Sequence, residues 1–224
     1  YALPIYKAAR TSVSFRLMTP DQMARALEPL GVEFLYLIAF DAEMAQMSDD
    51  DFARRVLFQG LGIAHAAVGF DFTYGKGRSG SAEGLRKHGQ QMGFSVSVSE
   101  RLDDASGLKL SSSAVREALK AGDMDRAAHI LGRPFAIEGT VIHGDKRGRT
   151  IGVPTANIAI GDYMRPAYGV YATRTRLADG RVVNGVANLG IRPMYEIEVP
   201  LLEVWLLDFE GSLYDQTVDT ELVA

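Results

Sequence analysis

The chain has 224 residues, 24 basic against 28 acidic side chains, a formal net charge of −4 and no cysteine. That length exceeds a single small domain and buries a core without disulfide or metal staples. It has no disulfide, thiol nucleophile or zinc finger, and its acidic balance argues against a general nucleic-acid binder.

The pattern changes near residue 132. Thr19, Pro20 and Gln22 open a first helix, as N-cap, first-turn proline and capping-box partner. Met23, Ala26, Leu27 and Leu30 give it an apolar stripe, and Gly31 ends it. Glu33 to Phe40 is an almost unbroken apolar run, which predicts a strand buried on both faces of a parallel sheet. Ser48 caps the next helix, with Asp49, Asp50 and Asp51 where the helix dipole favours negative charge. Phe52, Val56 and Leu57 are its buried side, and Gly60 stops it. Ile63 to Phe70 predicts a strand, followed by a glycine-rich loop and a helix from about Ala82 to Met92. Phe94, Val96 and Val98 alternate with serines as a strand does. Helices at about Ser113 to Lys120 and Asp123 to Leu131 close this half. The alternation implies an α/β fold with a parallel sheet.

After residue 132, strands are predicted from Phe135 to Ile142, Gly169 to Leu177, Arg181 to Ala187 and Leu201 to Phe209. Ala178-Asp179-Gly180 is a hairpin turn, with glycine supplying positive φ. Short-turned strands with little helix predict a small closed antiparallel barrel. The boundary is set at Gly132-Arg133-Pro134, giving domains 1–132 and 133–224. No apolar run reaches the ~18 residues of a membrane span. The N-terminus lacks the order of a secretory signal, so a cytoplasmic protein is expected.

Four segments carry chemistry. GFDFTYGKGRSG, with Asp71, Gly75 and Lys76, follows a strand and lies at the carboxyl edge of the sheet, where α/β folds bind ligands. It also reads as a solvated loop. KLSSSAVR brings Ser112, Ser113 and Arg116 to a helix N-terminus, an arrangement suited to phosphate. Simple capping is the alternative. GDKRGRTIGVPTAN places Gly144, Gly148, Gly152 and Pro154 in a shaped loop with Lys146, Arg147 and Arg149. Thr155 and Asn157 stand two apart, so in a strand they share a face, as neutral oxygens suited to Mg²⁺ or phosphate. A basic surface hairpin is the alternative. Glu203 sits in the apolar strand PLLEVWLLDF, either on a polar face or in a functional role. The histidines are scattered. His65 and His129 read as structural, and His143 borders the third segment.

Together these segments resemble the bacterial bifunctional riboflavin kinase/FMN adenylyltransferase (FAD synthetase) family, over residues 15–223. GFDFTYGKGRSG resembles its flavin-side loop, KLSSSAVR its nucleotidylyltransferase motif, and GDKRGRTIGVPTANI its kinase nucleotide loop. AYGVYA, GVANLGIRP and PLLEVWLLDF follow in the family's order. The resemblance implies a nucleotidylyltransferase-like parallel α/β sheet followed by a riboflavin-kinase-like barrel. It implies two reactions: phosphorylation of riboflavin to FMN by ATP, and adenylylation of FMN by a second ATP to give FAD. It gives Thr155 and Asn157 to Mg²⁺ and ATP phosphates, with Gly144, Gly148, Arg149, Gly152 and Pro154 in the nucleotide loop. Glu203 becomes the base on the riboflavin hydroxyl. Ser112, Ser113 and Arg116 go to the phosphates of the other ATP, and Asp71, Gly75 and Lys76 to the flavin side. Partners are expected to be small molecules, with neither nucleic acid nor membrane.

The sequence departs from the family pattern at both ends. No histidine-bearing HxGH loop precedes the first motif, residues 1–14 do not align convincingly with the family, and its closing helix is missing. An incomplete version of a longer chain is expected. A kinase-only fragment and a ligand-binding module without turnover are the alternatives.

Overall fold

The computed structural model describes residues 14–143, 155–192 and 199–224. These form two compact units: residues 36–109, and residues 14–35 together with 110–224.

In the first unit, β1 (His65–Gly69) pairs in parallel with a strand thirty residues on, the connection carrying a short hairpin and a helix. The hairpin joins β2 (Thr73–Tyr74) to β3 (Gly80–Ser81), and the helix is Ala82–Met92. β4 (Ser95–Ser99) then returns beside β1, in register from His65↔Ser95 to Gly69↔Ser99. The core gathers Ala53, Tyr74, Leu85, Met92 and Phe94, with Phe52, Leu57, Val68 and Val96 against it. Gly89 is required here, because a Cβ would stand 2.5 Å from the Phe94 carbonyl oxygen. Ser48 caps the turn Asp49–Asp51 by accepting the Asp51 amide, and the chain continues as a π-helix over Phe52–Gly60.

The run Glu33–Phe40 differs from expectation. It forms no strand, and Phe34 and Leu37 are 72% and 62% exposed. A buried parallel strand needs hydrogen-bonding neighbours on its edges. Among the described residues the parallel sheet has two strands, and neither pairs with this run. A short helix, Ala42–Gln46, capped by Asp41, was not foreseen.

The second unit is a closed barrel of six strands: β5 (Phe135–Ile142), β6 (Thr155–Ala159), β7 (Gly169–Arg176), β8 (Val182–Arg192), β9 (Val199–Leu206) and β10 (Thr217–Leu222). Their order around the barrel is β10-β5-β6-β9-β8-β7, antiparallel throughout. Ile137, Val141, Ile158, Leu189, Leu202, Val204 and Val218 fill the interior. Helices Ser112–Ala121 and Met124–Leu131 add Val115, Leu119, Met124 and Ala127 to the same core. These helices therefore pack with the barrel, whereas the composition break lies later, at Gly132.

The helix Pro20–Leu27 has the predicted capping box but not the predicted apolar anchor. Its buried residue is Gln22, and Leu30 beyond it is 76% exposed. Polar bonds hold it instead. Gln22 Nε2 donates to Asp219 Oδ1 at 3.0 Å, and Tyr163 Oη donates to Gln22 Oε1 at 2.6 Å. Arg25 pairs with Glu138. Burial lifts the Asp219 carboxyl above its ordinary value, against the Gln22 hydrogen bond.

Candidate functional site

Strand alternation sorts the barrel residues into two faces. Ile158 and Leu202, paired across β6 and β9, point into the core and are fully buried. The intervening residues therefore point outward. On that outer face Asn157 stands opposite Glu203. Thr155 stands opposite Trp205, on the same face. The structure thus brings Thr155, Asn157 and Glu203 together on one outward patch of two adjacent strands.

Their burial is unusual for an outer face. Asn157 is 4% exposed, and its Oδ1 is buried with no hydrogen-bond partner among the described residues. A buried acceptor left unmet costs about 1–3 kcal/mol. Glu203 is half-buried. Neutral and carboxylate oxygens in this setting suit a hard cation or a bound hydroxyl. Gly144, Gly148, Arg149, Gly152 and Pro154 lie outside the described residues. His143, at the end of β5, stacks on Tyr214 with ring centroids 4.0 Å apart.

In the first unit the glycine-rich loop is firmly built. Gly75 has φ +73°, and a Cβ there would stand 2.7 Å from the Asp49 amide nitrogen. The Lys76 amide donates to the Met47 carbonyl at 2.7 Å. Ser79 Oγ donates to Asp49 Oδ1 at 2.9 Å, and His88 Nε2 lies 3.4 Å from Asp49 Oδ2. These hydrogen bonds, Ser79's first, lower the Asp49 carboxyl from its ordinary value. Tyr74 packs between Phe52 and Phe72, and burial, with help from Asp49 and Asp50, lifts its hydroxyl to about 12. Asp71 is exposed and pairs with Lys109 at 3.2 Å. Lys76 is also exposed, so charge is presented on a braced backbone.

At the start of helix Ser112–Ala121, Ser111 is the N-cap, accepting the Ala114 amide at 3.2 Å. Ser112 and Ser113 are exposed in the first turn, clear of the capping role. Arg116 Nε donates to the Phe15 carbonyl at 2.9 Å, and its guanidinium lies over the Phe15 ring. These three residues belong to the second unit, and Asp71, Gly75 and Lys76 to the first.

His65 bonds Ser95 Oγ at 2.7 Å and Ser97 Oγ at 2.9 Å, a strand-to-strand structural role. Sequence reasoning missed Asn188, which pairs with Glu203 from β8. Its signal was present in the string GVANLGIRP, where a polar side chain interrupts an apolar strand.

Comparison with known proteins finds two family models in chain order. Residues 131–224 match the riboflavin kinase family model, and residues 4–114 match the FAD synthetase family model, so the likeness begins at residue 4 and not at residue 15 as the motifs suggest. The bifunctional riboflavin kinase/FMN adenylyltransferase of Haemophilus influenzae is 39% identical over 206 residues, covering 92% of this chain and 67% of the relative. Its namesake in Bacillus subtilis is 40% identical over 210 residues, with 92% and 65% covered. That of Escherichia coli K12 is 36% identical over 219 residues, with 98% and 70% covered. The chain thus spans about two thirds of the length of these curated relatives. A crystal structure described as a macrolide-efflux protein from Streptococcus pneumoniae superposes with a TM-score of 0.79 at 30% identity, covering 92% of this chain and 66% of that one. Among the described residues no helix is long and apolar enough to cross a membrane. With both family models matched in order and the relatives aligned across most of its length, the chain belongs to the bifunctional riboflavin kinase/FMN adenylyltransferase family.

Proposed function

We propose that this chain serves flavin cofactor biosynthesis, its barrel phosphorylating riboflavin to FMN with ATP and its N-terminal part contributing to adenylylation of FMN to FAD. The observation that carries the kinase reading is the outward pairing of Asn157 with Glu203, one a buried acceptor unmet among the described residues and the other a half-buried carboxylate. Phosphoryl transfer needs positioning, charge neutralisation and one acceptor for the proton of the attacking hydroxyl. Glu203 is that acceptor. It holds the terminal hydroxyl of riboflavin and takes its proton as the oxygen attacks the γ-phosphorus of ATP, the bond from that phosphorus to the β,γ-bridging oxygen breaks and ADP leaves. Thr155 and Asn157 would hold Mg²⁺ and phosphate oxygens, and the Asn157 Oδ1, which has no partner among the described residues, fits such a role. Mg²⁺ neutralises charge on the phosphates when bound. Gly144, Gly148, Arg149, Gly152 and Pro154 form the nucleotide loop.

For adenylylation, Asp71, Gly75 and Lys76 serve the flavin, and Ser112, Ser113 and Arg116 the ATP phosphates. The braced backbone at Gly75 and the exposed Ser112 and Ser113 support these roles. In domain terms the first activity belongs to residues 133–224 and the second to residues 1–132. Partners are riboflavin, FMN and ATP, with no nucleic acid, in the cytoplasm.

The test is Glu203→Gln, with riboflavin, FMN and FAD separated after incubation with Mg-ATP. Phosphorylation is expected to fall by about 10²- to 10⁴-fold, the range of a lost general base. Adenylylation of supplied FMN, measured in a chain extended to the length of the relatives, is expected to persist. Equal loss of both activities, or of neither, overturns the assignment.

A further inference from the structure

The outward polar row has three members. Asn188 on β8 faces Glu203 in register, and Asn157 on β6 faces it from the other side. Opposed residues on one face lie about 4.5–5.5 Å apart at Cβ. Asn157 is buried, Glu203 half-buried and Asn188 exposed, so the row opens toward solvent at Asn188. Apolar residues close both ends: Ile142 faces Asn157, and Val170 faces Asn188.

Asn188 also has room to act. Gly190 shares its face, and Asn188 Nδ2 lies 3.6 Å from where a Gly190 Cβ would stand. The amide leans over bare backbone rather than over a neighbouring side chain. An asparagine amide both donates and accepts, so it can meet a hydroxyl in either role. Its strand stands about 4.8 Å from that of Glu203. A polyol chain laid along the row brings a second hydroxyl to Asn188 when its terminal hydroxyl is at Glu203.

We propose that Asn188 is a specificity-determining residue of the barrel site, hydrogen-bonding a secondary hydroxyl of the polyol whose terminal hydroxyl meets Glu203. The proposal rests on the reading of this face as the riboflavin kinase site. It distinguishes a hydroxylated side chain from an alkyl one, a choice Glu203 alone does not make.

The test compares riboflavin with a flavin bearing a 5-hydroxypentyl chain, which keeps the terminal hydroxyl and lacks the secondary ones. The unaltered protein is expected to favour riboflavin in kcat/KM by roughly tenfold or more, as for a site built to bond a hydroxyl. Asn188→Ala is expected to lose roughly tenfold on riboflavin and little on the analogue, so the preference collapses. Asn188→Ser, which keeps a hydroxyl, is expected to restore part of it. Equal losses on both substrates, or an undiminished preference in Asn188→Ala, overturn the Asn188 proposal alone. Phosphorylation of neither flavin by the unaltered protein overturns the kinase reading and this proposal with it. Asn188 is exposed, so the substitutions are expected to fold, and a thermal melt of each variant checks that.

Discussion

Replacing Asn157 by leucine separates a functional residue from a structural one. Asn157 is 4% exposed and its Oδ1 has no partner among the described residues. An unmet buried acceptor costs about 1–3 kcal/mol. Leucine has the same branching, removes that cost, and adds apolar contact beside Ile142, its partner on β5. Its larger volume gives back part of the gain, since overpacking costs about 1 kcal/mol or more. The net expectation is a barrel more stable by about 1 kcal/mol, or a melting rise of about 4 °C. Riboflavin phosphorylation is expected to fall at least ~100-fold, because the proposed ligand for phosphate or cation is gone. Trp205 is the one tryptophan of the chain and lies on β9, so its fluorescence reports barrel unfolding in urea directly. A variant that is less stable by more than about 1 kcal/mol while keeping its phosphorylation rate refutes the reasoning. Asn157 would then be a fold residue whose acceptor is met in solution.

Two further outcomes concern the first unit. Gly80→Ala sets a Cβ 2.6 Å from Tyr74 Cε1 and 2.8 Å from Asp49 Cβ. It is expected to cost about 1–3 kcal/mol and to speed proteolytic nicking within residues 69–81, and an unchanged cleavage rate contradicts it. Tyr74→Phe removes a buried hydroxyl that has no partner among the described residues, so at pH 7 the variant is expected to be at least as stable as the unaltered chain. Because the folded Tyr74 pKa lies at about 12, above the ordinary 10, its contribution is full below pH 10 and is lost as pH rises through 12. Tyr74→Phe removes that share of the alkaline loss, measured as urea midpoints at pH 7, 10 and 11. An identical alkaline fall in both proteins counts against the burial argument.

Local chemistry was readable where one short stretch determines it. Thr19 and Gln22 made the capping box, and Ser48 capped its helix, because those bonds span three residues. The pairing of Asn157 with Glu203 lies 46 positions apart, and only the barrel closure between β6 and β9 reveals it. Glu33–Phe40 misled because apolarity shows what a segment tolerates, not whether an edge exists to pair with. Gln22 misled in the opposite sense, as a polar residue buried through Asp219 and Tyr163, both far along the chain. β6 and β10 carry a weak strand signal, since TANIA and TVDTEL are short and mixed in polarity. Asn188 hid for a related reason: beside Leu189 it looks like the solvent side of an ordinary strand.

The alternation of β9 ties chemistry to folding more tightly than any single bond. Leu202 and Val204 are the inward neighbours of Glu203 on either side, both buried to 1% exposure or less. A slip of one position along β9 would turn Glu203 into the core and expose those two residues. The apolar interior is therefore the proofreader of the outer face, since a misregistered barrel loses its core and its carboxylate together. Single-residue insertions or deletions inside β6, β8 or β9 cannot drift neutrally here, whereas the turn Ala178–Gly180, which closes a hairpin away from the row, can absorb them.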